Sequence, residues 1–497
     1  MKSFPWALAF ALVLGVQSAR ADSSAPSVTE YHNSPERSGH FVVPGLTWDR
    51  ARNPRPFAEF RTDIAGHVYA QPLYWHPPSS GSGLLIAATE SNTVYGLDAD
   101  SGATVWKKWL GRPVPSSALS CGNIDPVGIT GTPAIDSDSQ TIYLDAFVRE
   151  PDGLHHLIFA LSLRDGSILP GWPVDVAKAL DGKGLRFRSR DQNQRSALTI
   201  AGSRVYVTYG GHFGDCGSYH GWVVGVSLRD PTDVIAWRTR ARGGGIWAPG
   251  GMSYDGQSLF VATGNTMDAE DWSDGEAVIR LGPDLKGPTE PRDFFAPRNW
   301  KKLDAQDADL GGSNPLSLDV PGARGLIPLV LALGKDGKAY LLDRQNLGGI
   351  GGALATQVVS PEAIRAAPAA FRLGDSVLVA FQGEGADCPK QERTIGLTVL
   401  RIRAAPEPQM AIAWCGALEG AGAPIVTTSD AGGANPIVWV SGAEGDNRLH
   451  AFRGDTGEEL TGATGEAMAG LRHFGTILAA AGRLYVASDS GIYAFAF

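Results

Sequence analysis

The chain has 497 residues and a formal net charge of −9, and 43% of its residues are hydrophobic and 19% charged. This much apolar sequence can bury a large core, which excludes an intrinsically disordered protein. The charges are spread along the chain without a basic stripe, which excludes nucleic acid as a partner. The counts of 63 Gly, 32 Pro and 13 Trp are typical of a protein built from many short strands and turns.

The first residues have the pattern of a secretory signal peptide. Lys2 supplies positive charge, Phe4 to Val16 is apolar, and Ala19-Arg20-Ala21 matches an A-x-A cleavage site. The apolar run is too short to span a bilayer, and no later stretch approaches the roughly 20 apolar residues of a transmembrane helix. We therefore expect a signal peptide over residues 1–21 and a soluble exported protein, with the periplasm as its location.

A repeat runs through the rest of the chain. Helical periodicity is nearly absent, and short apolar runs alternate with Gly, Asp, Asn and Pro turns. Each unit opens with a strand around a Pro or Ala, followed by two more apolar strands, at spacings of 51 to 65 residues. The eight openers begin at Tyr69, Gly131, Arg195, Ala248, Ser313, Arg365, Ala421 and Arg472. This pattern predicts an all-β fold, an eight-bladed β-propeller of four-stranded antiparallel blades.

The two ends of the chain are expected to close the ring. The last unit stops at Phe497 after its third strand, and an open sheet edge is an aggregation hazard. The segment from Pro56 to Ile64 precedes the first opener and is the predicted donor of the missing strand. The predicted organisation is an N-terminal extension over 22–55 and a single propeller domain over 56–497.

Four cysteines, Cys121, Cys216, Cys388 and Cys415, have three possible pairings in an oxidising compartment. Cys388 and Cys415 fall within one repeat, which favours that bridge and leaves Cys121 with Cys216. Four buried free thiols are the alternative. The chain has no C-x-x-C-H motif, so it does not attach a c-type haem covalently.

One stretch resembles a known family. The segment "LDADSGATVWKKWLG" is similar to the tryptophan-docking repeat A-x-D-x-x-T-G-x-x-x-W of quinoprotein dehydrogenases, and "FRGDTG" at 452–457 is a second, partial copy. In that family the tryptophan packs against the neighbouring blade, so Trp106 is expected to join two blades. Non-enzymatic scaffold proteins of the outer-membrane assembly type share the repeat. The motif therefore implies the fold and not the activity.

The resemblance also implies a site for pyrroloquinoline quinone (PQQ) and Ca²⁺. "GGGIWAPGGMSYDGQSLFVATGN" at 243–265 resembles the family segment in which a tryptophan is the floor under the quinone, here Trp247, and an asparagine binds Ca²⁺, here Asn265. Asp215 lies closest to the family's second metal ligand. Lys335, in "LALGKDGKAYLLDRQ", corresponds to the cation beside the quinone oxygens, and Arg195 is a weaker match for the arginine that binds a cofactor carboxylate.

The sequence also departs from the family. The segment that carries the catalytic aspartate is shortened to 266–281, where Asp271 and Asp274 bracket the expected position, and the adjacent-cysteine pair of many alcohol-oxidising members is missing. Two functions remain open. One is a dehydrogenase that oxidises an alcohol, sugar or aldehyde with PQQ and Ca²⁺ and passes electrons to an external acceptor such as a cytochrome c. The other is a non-catalytic propeller that binds a partner at the cell envelope.

Overall fold

The computed structural model describes residues 26–77, 82–389, 396–461 and 466–497. The predicted signal peptide, residues 1–21, lies outside these residues. Eight separate β-sheets follow one another along the chain and form the eight blades of a β-propeller, numbered here in the order of their openers. The predicted fold is confirmed. Within the described residues, no helix has the length and apolar character needed to cross a membrane.

The strands of each blade are mostly short and antiparallel, as the apolar runs of the repeat predict. Blade 1 has Leu73–Trp75, Leu84–Ala88, Thr93–Asp98 and Thr104–Trp109, and blade 2 has Ala134–Asp136, Thr141–Glu150, Gly153–Ser162 and Val174–Asp175. Blade 3 has Thr199–Ala201, Arg204–Tyr209, Trp222–Ser227 and Val234–Arg238, and blade 4 has Ser253–Tyr254, Leu259–Thr263, Ala277–Leu281 and Phe294–Ala296. Blade 5 has Leu316–Gly322, Gly325–Leu333, Lys338–Asp343 and Ala355–Val358, and blade 6 has Ala369–Leu373, Ser376–Gln382, Leu397–Arg403 and Gln409–Gly416.

Blades 7 and 8 each take three strands from the C-terminal part of the chain. Blade 7 has Ile425–Thr428, Ile437–Ser441 and Leu449–Arg453, and blade 8 has Ile477–Ala480, Arg483–Ser488 and Gly491–Ala496. Blade 4 has a fifth strand, Gly349–Ile350, which runs parallel to its fourth. The α-helices are short and lie between strands, at Trp48–Ala51, Val176–Asp181 and Trp300–Gln306. Apolar side chains of neighbouring blades pack face to face, so the core is a series of inter-blade layers.

Trp106 joins blades 1 and 2, as predicted. Its indole Nε1 donates a hydrogen bond of 2.9 Å to the carbonyl oxygen of Leu163. The ring lies against Gly166, where an added Cβ would come within 2.6 Å of it, so any larger residue would push the ring away. Trp414 makes the same contact between blades 6 and 7, with Nε1 2.9 Å from the Gly454 oxygen. The tryptophan repeat is therefore architectural in this chain.

An N-terminal strand closes the ring, as predicted. Arg55–Pro56 pairs antiparallel with the last strand of blade 8, with Arg55 opposite Ala496 and Pro56 opposite Phe495. The observed strand therefore includes Pro56, the first residue of the predicted donor segment, and Arg55, the residue before it. The next residue of the donor segment, Phe57, adds a further backbone hydrogen bond to the last strand of blade 8 by donating to the carbonyl oxygen of Ala494 at 2.8 Å. The edge of blade 8 is thus covered by the other end of the chain.

The sequence did not predict the path of residues 28–43, which we call the axial segment. Its backbone hydrogen-bonds to the first strands of several blades or to residues beside them; the bonds are Val28 with Tyr74, Ile135 with Thr29, Tyr254 with Pro35 and Ala370 with Ser38. His40–Val42 then adds a parallel strand to blade 7 along Val426–Thr428. Contacts to blades on all sides of the ring place the axial segment across the central channel.

Arg37 fixes the axial segment from the inside. Its side chain is fully buried and pairs with Glu30 at 3.1 Å. Nε donates to the carbonyl oxygen of Met252 and one terminal nitrogen donates to that of Leu198, each at 2.8 Å. One guanidinium therefore connects the segment to blades 3 and 4. Its donors are satisfied inside the protein, which is the condition for burying a charge.

We expect Arg37→Ala to lower the free energy of unfolding by about 3–5 kcal/mol, since the substitution leaves Glu30 buried without its partner. The measurement is urea denaturation. Arg52→Ala is the control, because Arg52 in the same N-terminal extension forms an exposed ion pair with Glu458, and its loss changes stability by about 1 kcal/mol or less. Equal, small effects of the two substitutions would contradict a structural role for Arg37.

Candidate functional site

A cavity of about 580 Å³ opens at the axis of the propeller. Arg195, Trp247 and Arg365 reach it from the turns that precede the first strands of blades 3, 4 and 6. Lys335 follows the second strand of blade 5, and Asp215 lies in the loop after the second strand of blade 3. Four residues selected from the sequence, Arg195, Asp215, Trp247 and Lys335, therefore line one cavity although they are far apart in the chain.

Asp309 is the centre of the hydrogen-bond network at the cavity wall. One carboxylate oxygen, Oδ2, accepts from Trp247 Nε1 at 3.1 Å and lies 2.6 Å from Lys335 Nζ. The other, Oδ1, accepts from the backbone N–H of Asn265 at 2.9 Å. The side chain is only 3% exposed. Asp309 thus connects three of the predicted site residues to one another.

Sequence reasoning missed Asp309, although a signal was available. The residue stands in "DADLGGSNP", just ahead of the opener of blade 5. Arg195 and Arg365 stand at the start of the openers of blades 3 and 6, and Trp247 directly precedes that of blade 4. The register of the repeat therefore marks positions that face the axis, and the carboxylate before blade 5 is one of them.

Lys335 is the cation of this network. Its ammonium lies 3.0 Å from Asp307 Oδ1 and 5.2 Å from the centre of the Trp247 ring, within cation–π range. Burial lowers the pKa of Lys335, but Asp309 and Asp307 together outweigh it, so the pKa lies above its usual value. The lysine is therefore charged at neutral pH and can stabilise a negative oxygen in the cavity.

Negative charge exceeds positive charge around Asp309. Burial raises the pKa of Asp215, and the negative charges of Asp309 and Asp307 raise it further. The hydrogen bond from Tyr219 acts in the opposite direction. Burial and then Asp309 likewise raise the pKa of Glu276, whose Oε2 accepts from the backbone N–H of Leu310 at 2.6 Å. Several carboxyl groups thus repel one another around a single lysine. A bound cation would relieve this repulsion.

The other predicted residues have different surroundings. Asn265 lies beside the cavity, and its side-chain amide has no hydrogen-bond partner in the described part of the chain. Asp271 is exposed, and Asp274 is buried in a bidentate pair with Arg240, with Arg240 nitrogens 2.8 and 2.9 Å from its oxygens. Neither aspartate lines the cavity, because the shortened segment folds into a turn against Arg240.

Both predicted disulfides are present, Cys121–Cys216 and Cys388–Cys415. Each fastens a loop of the cavity wall. Cys216 follows Asp215 directly, and Cys388 lies in the loop after the strand Ser376–Gln382, whose residue Glu384 lines the cavity. The two disulfides therefore anchor two loops of the cavity wall, one from blade 3 and one from blade 6. Such support preorganises a site for its ligand.

Glu90 is a fully buried carboxyl group whose charge acts on Arg195 of the cavity wall. Its Oε2 accepts from the backbone N–H of Gly128 at 2.6 Å, and the Thr130 hydroxyl is the other hydrogen-bonding group beside the carboxyl. Burial raises the pKa of Glu90 to about 7, against the opposing effects of the Gly128 bond, the Thr130 hydroxyl and Arg195. The group thus carries a proton in the folded protein under conditions where an exposed glutamate has lost it.

The cavity and the propeller around it can be compared with known proteins. No protein-family model matches the chain, and no curated protein matches its sequence. Among solved structures, the quinohemoprotein alcohol dehydrogenase from Comamonas testosteroni matches with a TM-score of 0.64 and 14% identity, over 95% of this chain and 80% of that one. A europium-containing methanol dehydrogenase matches with a TM-score of 0.63 and 14% identity, over 95% and 98% of the two chains.

A third match is BamB from Moraxella catarrhalis, with a TM-score of 0.51 and 16% identity over 90% of this chain and 100% of that one. The chain therefore has the eight-bladed propeller fold of quinoprotein dehydrogenases, as the tryptophan repeat implied. At these identities the comparisons establish the fold alone, since one fold can carry different functions.

We expect Glu90→Gln to stabilise the protein at high pH and to leave it unchanged at low pH. The pKa of Glu90 in the folded protein is about 7, above the usual 4.5. Its contribution to the free energy of unfolding is therefore fully present below pH 4.5 and is lost as the pH rises through 7. Unfolding free energies from urea titrations at about pH 4 and about pH 8.5 should therefore differ between variant and wild type only at the higher pH, by at most about 3 kcal/mol.

Glu384→Gln is the control for this pH dependence, because Glu384 is an exposed glutamate that lines the large cavity. Its substitution should shift the unfolding free energy little at either pH. A Glu90→Gln variant whose difference from wild type is the same at both pH values would contradict the buried, protonated state of Glu90.

Proposed function

We propose that this protein is an exported quinoprotein dehydrogenase that binds PQQ and Ca²⁺ and oxidises an alcohol, sugar or aldehyde. Electrons would pass to an external acceptor such as a cytochrome c. The observation that carries the proposal is the cluster of Asp309, Trp247 and Lys335 on the wall of one cavity of about 580 Å³. The fold shared with quinohemoprotein alcohol dehydrogenase supports it.

The lining fits a flat, tricarboxylated quinone. The volume lies within the range of ligand cavities, roughly 300–1,000 Å³. Trp247 offers an aromatic ring for stacking, and Lys335 offers a cation beside it. Arg195 and Arg365 also line the cavity, and neither guanidinium has a hydrogen-bond or ion-pair partner in the described ranges. Arginines free to accept planar carboxylates are what a polyanionic ligand requires.

The oxygen donors in and beside the cavity are of the chemical kind that a hard divalent cation prefers. Asp215, Asn265 and Asp309 offer carboxylate and amide oxygens, which are the ligands that Ca²⁺ prefers. Asp309 already lies among carboxyl groups whose pKa values its charge raises, Asp215 and Glu276 among them. We assign Asp215 and Asn265 as metal ligands, with Asp309 next to them. The excess of negative charge gives the site its attraction for Ca²⁺.

Bound PQQ and Ca²⁺ would supply the two-electron oxidant and the Lewis acid of the reaction. Asp309 would take the proton of the substrate hydroxyl, because it is the carboxylate that contacts both Trp247 and Lys335 at the cavity wall. This assignment replaces Asp271 and Asp274, which do not line the cavity. The charged ammonium of Lys335 would stabilise negative charge that develops on an oxygen beside it.

Reconstitution with PQQ and Ca²⁺ tests the proposal. We expect PQQ to quench tryptophan fluorescence and to give dye-linked oxidation within a panel of alcohols, sugars and aldehydes. Trp247→Phe should weaken PQQ binding because the stacking surface is smaller. Asp309→Asn should keep PQQ binding and lower the oxidation rate about 100-fold or more, since a general base contributes roughly this factor. Asp215→Asn should raise the Ca²⁺ concentration needed for half-maximal activity.

Matched controls come from residues outside the cavity. Trp109→Phe changes a tryptophan that is 58% exposed on blade 1, and Asp271→Asn changes an exposed aspartate near the site; both should behave as wild type. Absence of quenching and of oxidation in the wild type would overturn the proposal and favour the non-catalytic propeller. Full activity in Asp309→Asn, with loss in Asp271→Asn, would overturn the assignment of the base.

A further inference from the structure

Glu276 binds the backbone next to Asp309, the carboxylate that the proposed reaction uses as its base. It belongs to the shortened segment 266–281 and directly precedes the third strand of blade 4, Ala277–Leu281. The side chain is fully buried and is not part of the lining of the large cavity. Any effect of Glu276 on the site therefore passes through the residues that it contacts.

One hydrogen bond defines the contact of the Glu276 side chain. Its Oε2 accepts from the backbone N–H of Leu310 at 2.6 Å, whereas its Oε1 has no partner among the described residues. Leu310 begins the short turn Leu310–Gly312, and Asp309 is the residue directly before it. The bond therefore fixes the peptide unit that joins Asp309 to this turn.

The backbone of Glu276 supports Asp309 from a second side. Its N–H donates to the carbonyl oxygen of Gly264 at 2.9 Å. The next residue along the chain, Asn265, donates its backbone N–H to Asp309 Oδ1, also at 2.9 Å. Gly264 lies so close that an added Cβ would be 2.9 Å from the same oxygen. Glu276 thus contacts both the backbone after Asp309 and the backbone beside its carboxylate.

The Glu276 carboxyl group is unfavourable for stability where it lies. Burying a polar group costs free energy unless its atoms are hydrogen-bonded, and only one oxygen of this group has a partner in the described part of the chain. An apolar side chain of similar length would fill the space without this cost. A polar group at such a position, directly behind an active-site residue, indicates a contribution to the site and not to stability.

We propose that Glu276 is a positioning residue, which holds Asp309 in the orientation where its carboxylate meets both Trp247 and Lys335. This inference rests on the proposed dehydrogenase function, because it concerns the base of that reaction. A displacement of about 1 Å in a reacting group lowers a rate by about 100-fold, even when a residue away from the substrate causes it. The shortened segment thus has a part in the reaction, although its two aspartates do not line the cavity.

Two substitutions of Glu276 separate positioning from packing. Glu276→Met keeps the length of the side chain and loses the acceptor, whereas Glu276→Gln keeps an acceptor oxygen for Leu310. In the reconstituted enzyme we expect Glu276→Met to lower kcat about tenfold or more, with KM and PQQ affinity within about twofold of wild type. Glu276→Gln should restore most of the rate. The stability of Glu276→Met should change little, because the lost hydrogen bond and the removed unpaired oxygen have opposite effects.

The indole N–H of Trp247 reports the position of Asp309 in the protein without PQQ. It donates to Asp309 Oδ2 at 3.1 Å, so its NMR resonance depends on where that carboxylate lies. Trp247→Phe identifies the resonance by its absence from the spectrum. We expect the resonance to move in Glu276→Met and to stay in place in Glu276→Gln.

Asp274→Asn is the matched control. Asp274 lies two residues before Glu276, is buried, and accepts from the backbone N–H of Arg240 at 2.9 Å, but it does not line the cavity. Its substitution should leave both the Trp247 resonance and kcat as in wild type.

The outcomes separate this inference from the proposed function. A Trp247 resonance that does not move in Glu276→Met would overturn the positioning role, whether or not the wild type oxidises any substrate. A moved resonance with unchanged kcat in an active enzyme would also overturn it. A moved resonance in Glu276→Met, restored in Glu276→Gln, together with an inactive wild type, would refute the dehydrogenase and still support the role of Glu276 in holding Asp309.

Discussion

The axial segment, residues 28–43, is the constraint on which the rest of the structure depends. A propeller is held together by contacts between neighbouring blades, so its central channel is the place where packing is weakest. Here one strand of chain crosses that channel and satisfies backbone groups of blades 1, 2, 4, 6 and 7. Arg37 adds side-chain bonds to blades 3 and 4. Blades that do not touch one another are thereby coupled through a single segment.

The same segment determines the form of the functional site. Tyr31 of the axial segment lines a small cavity that shares Arg195, His473 and Phe474 with the large cavity, so the axial segment lies close to the large cavity. At the wall of the large cavity, Trp247, Asn265 and Lys335 meet around Asp309, and the two disulfides hold the loops of the wall. Asn193 and His212, which line the large cavity, each have a buried side-chain atom without a hydrogen-bond partner among the described residues.

The parts of this structure that were readable from the sequence are those with a local or periodic signal. Alternating strands and turns recur in every unit, which is why the eight blades could be counted. The resemblance to quinoprotein dehydrogenases selected Arg195, Trp247 and Lys335, which line one cavity, and placing Cys388 and Cys415 in one repeat gave the correct pairing. Asp309 was missed because the expected position of the base came from a family segment that is shortened here.

The axial segment could not be predicted for a different reason. It has no repeat, and its partners are remote in sequence: the hydrogen bond between His32 Nε2 and the Thr476 hydroxyl joins residues 444 positions apart. Glu30 and Arg37 each look like exposed charges until the fold buries them together. Only the closed ring creates the channel in which this segment finds its partners. Its role is a property of the tertiary structure.

Native-state hydrogen exchange of the axial segment tests this account most directly. The amides of Val28 and Val43 donate to Tyr74 and Thr428 at 2.7 and 2.8 Å. If the segment is integral to the ring, they should open with the same free energy as amides of the buried second strand of blade 7, Ile437–Ser441. Rapid exchange of Val28 and Val43, with Ile437–Ser441 still protected, would contradict the central place of the axial segment.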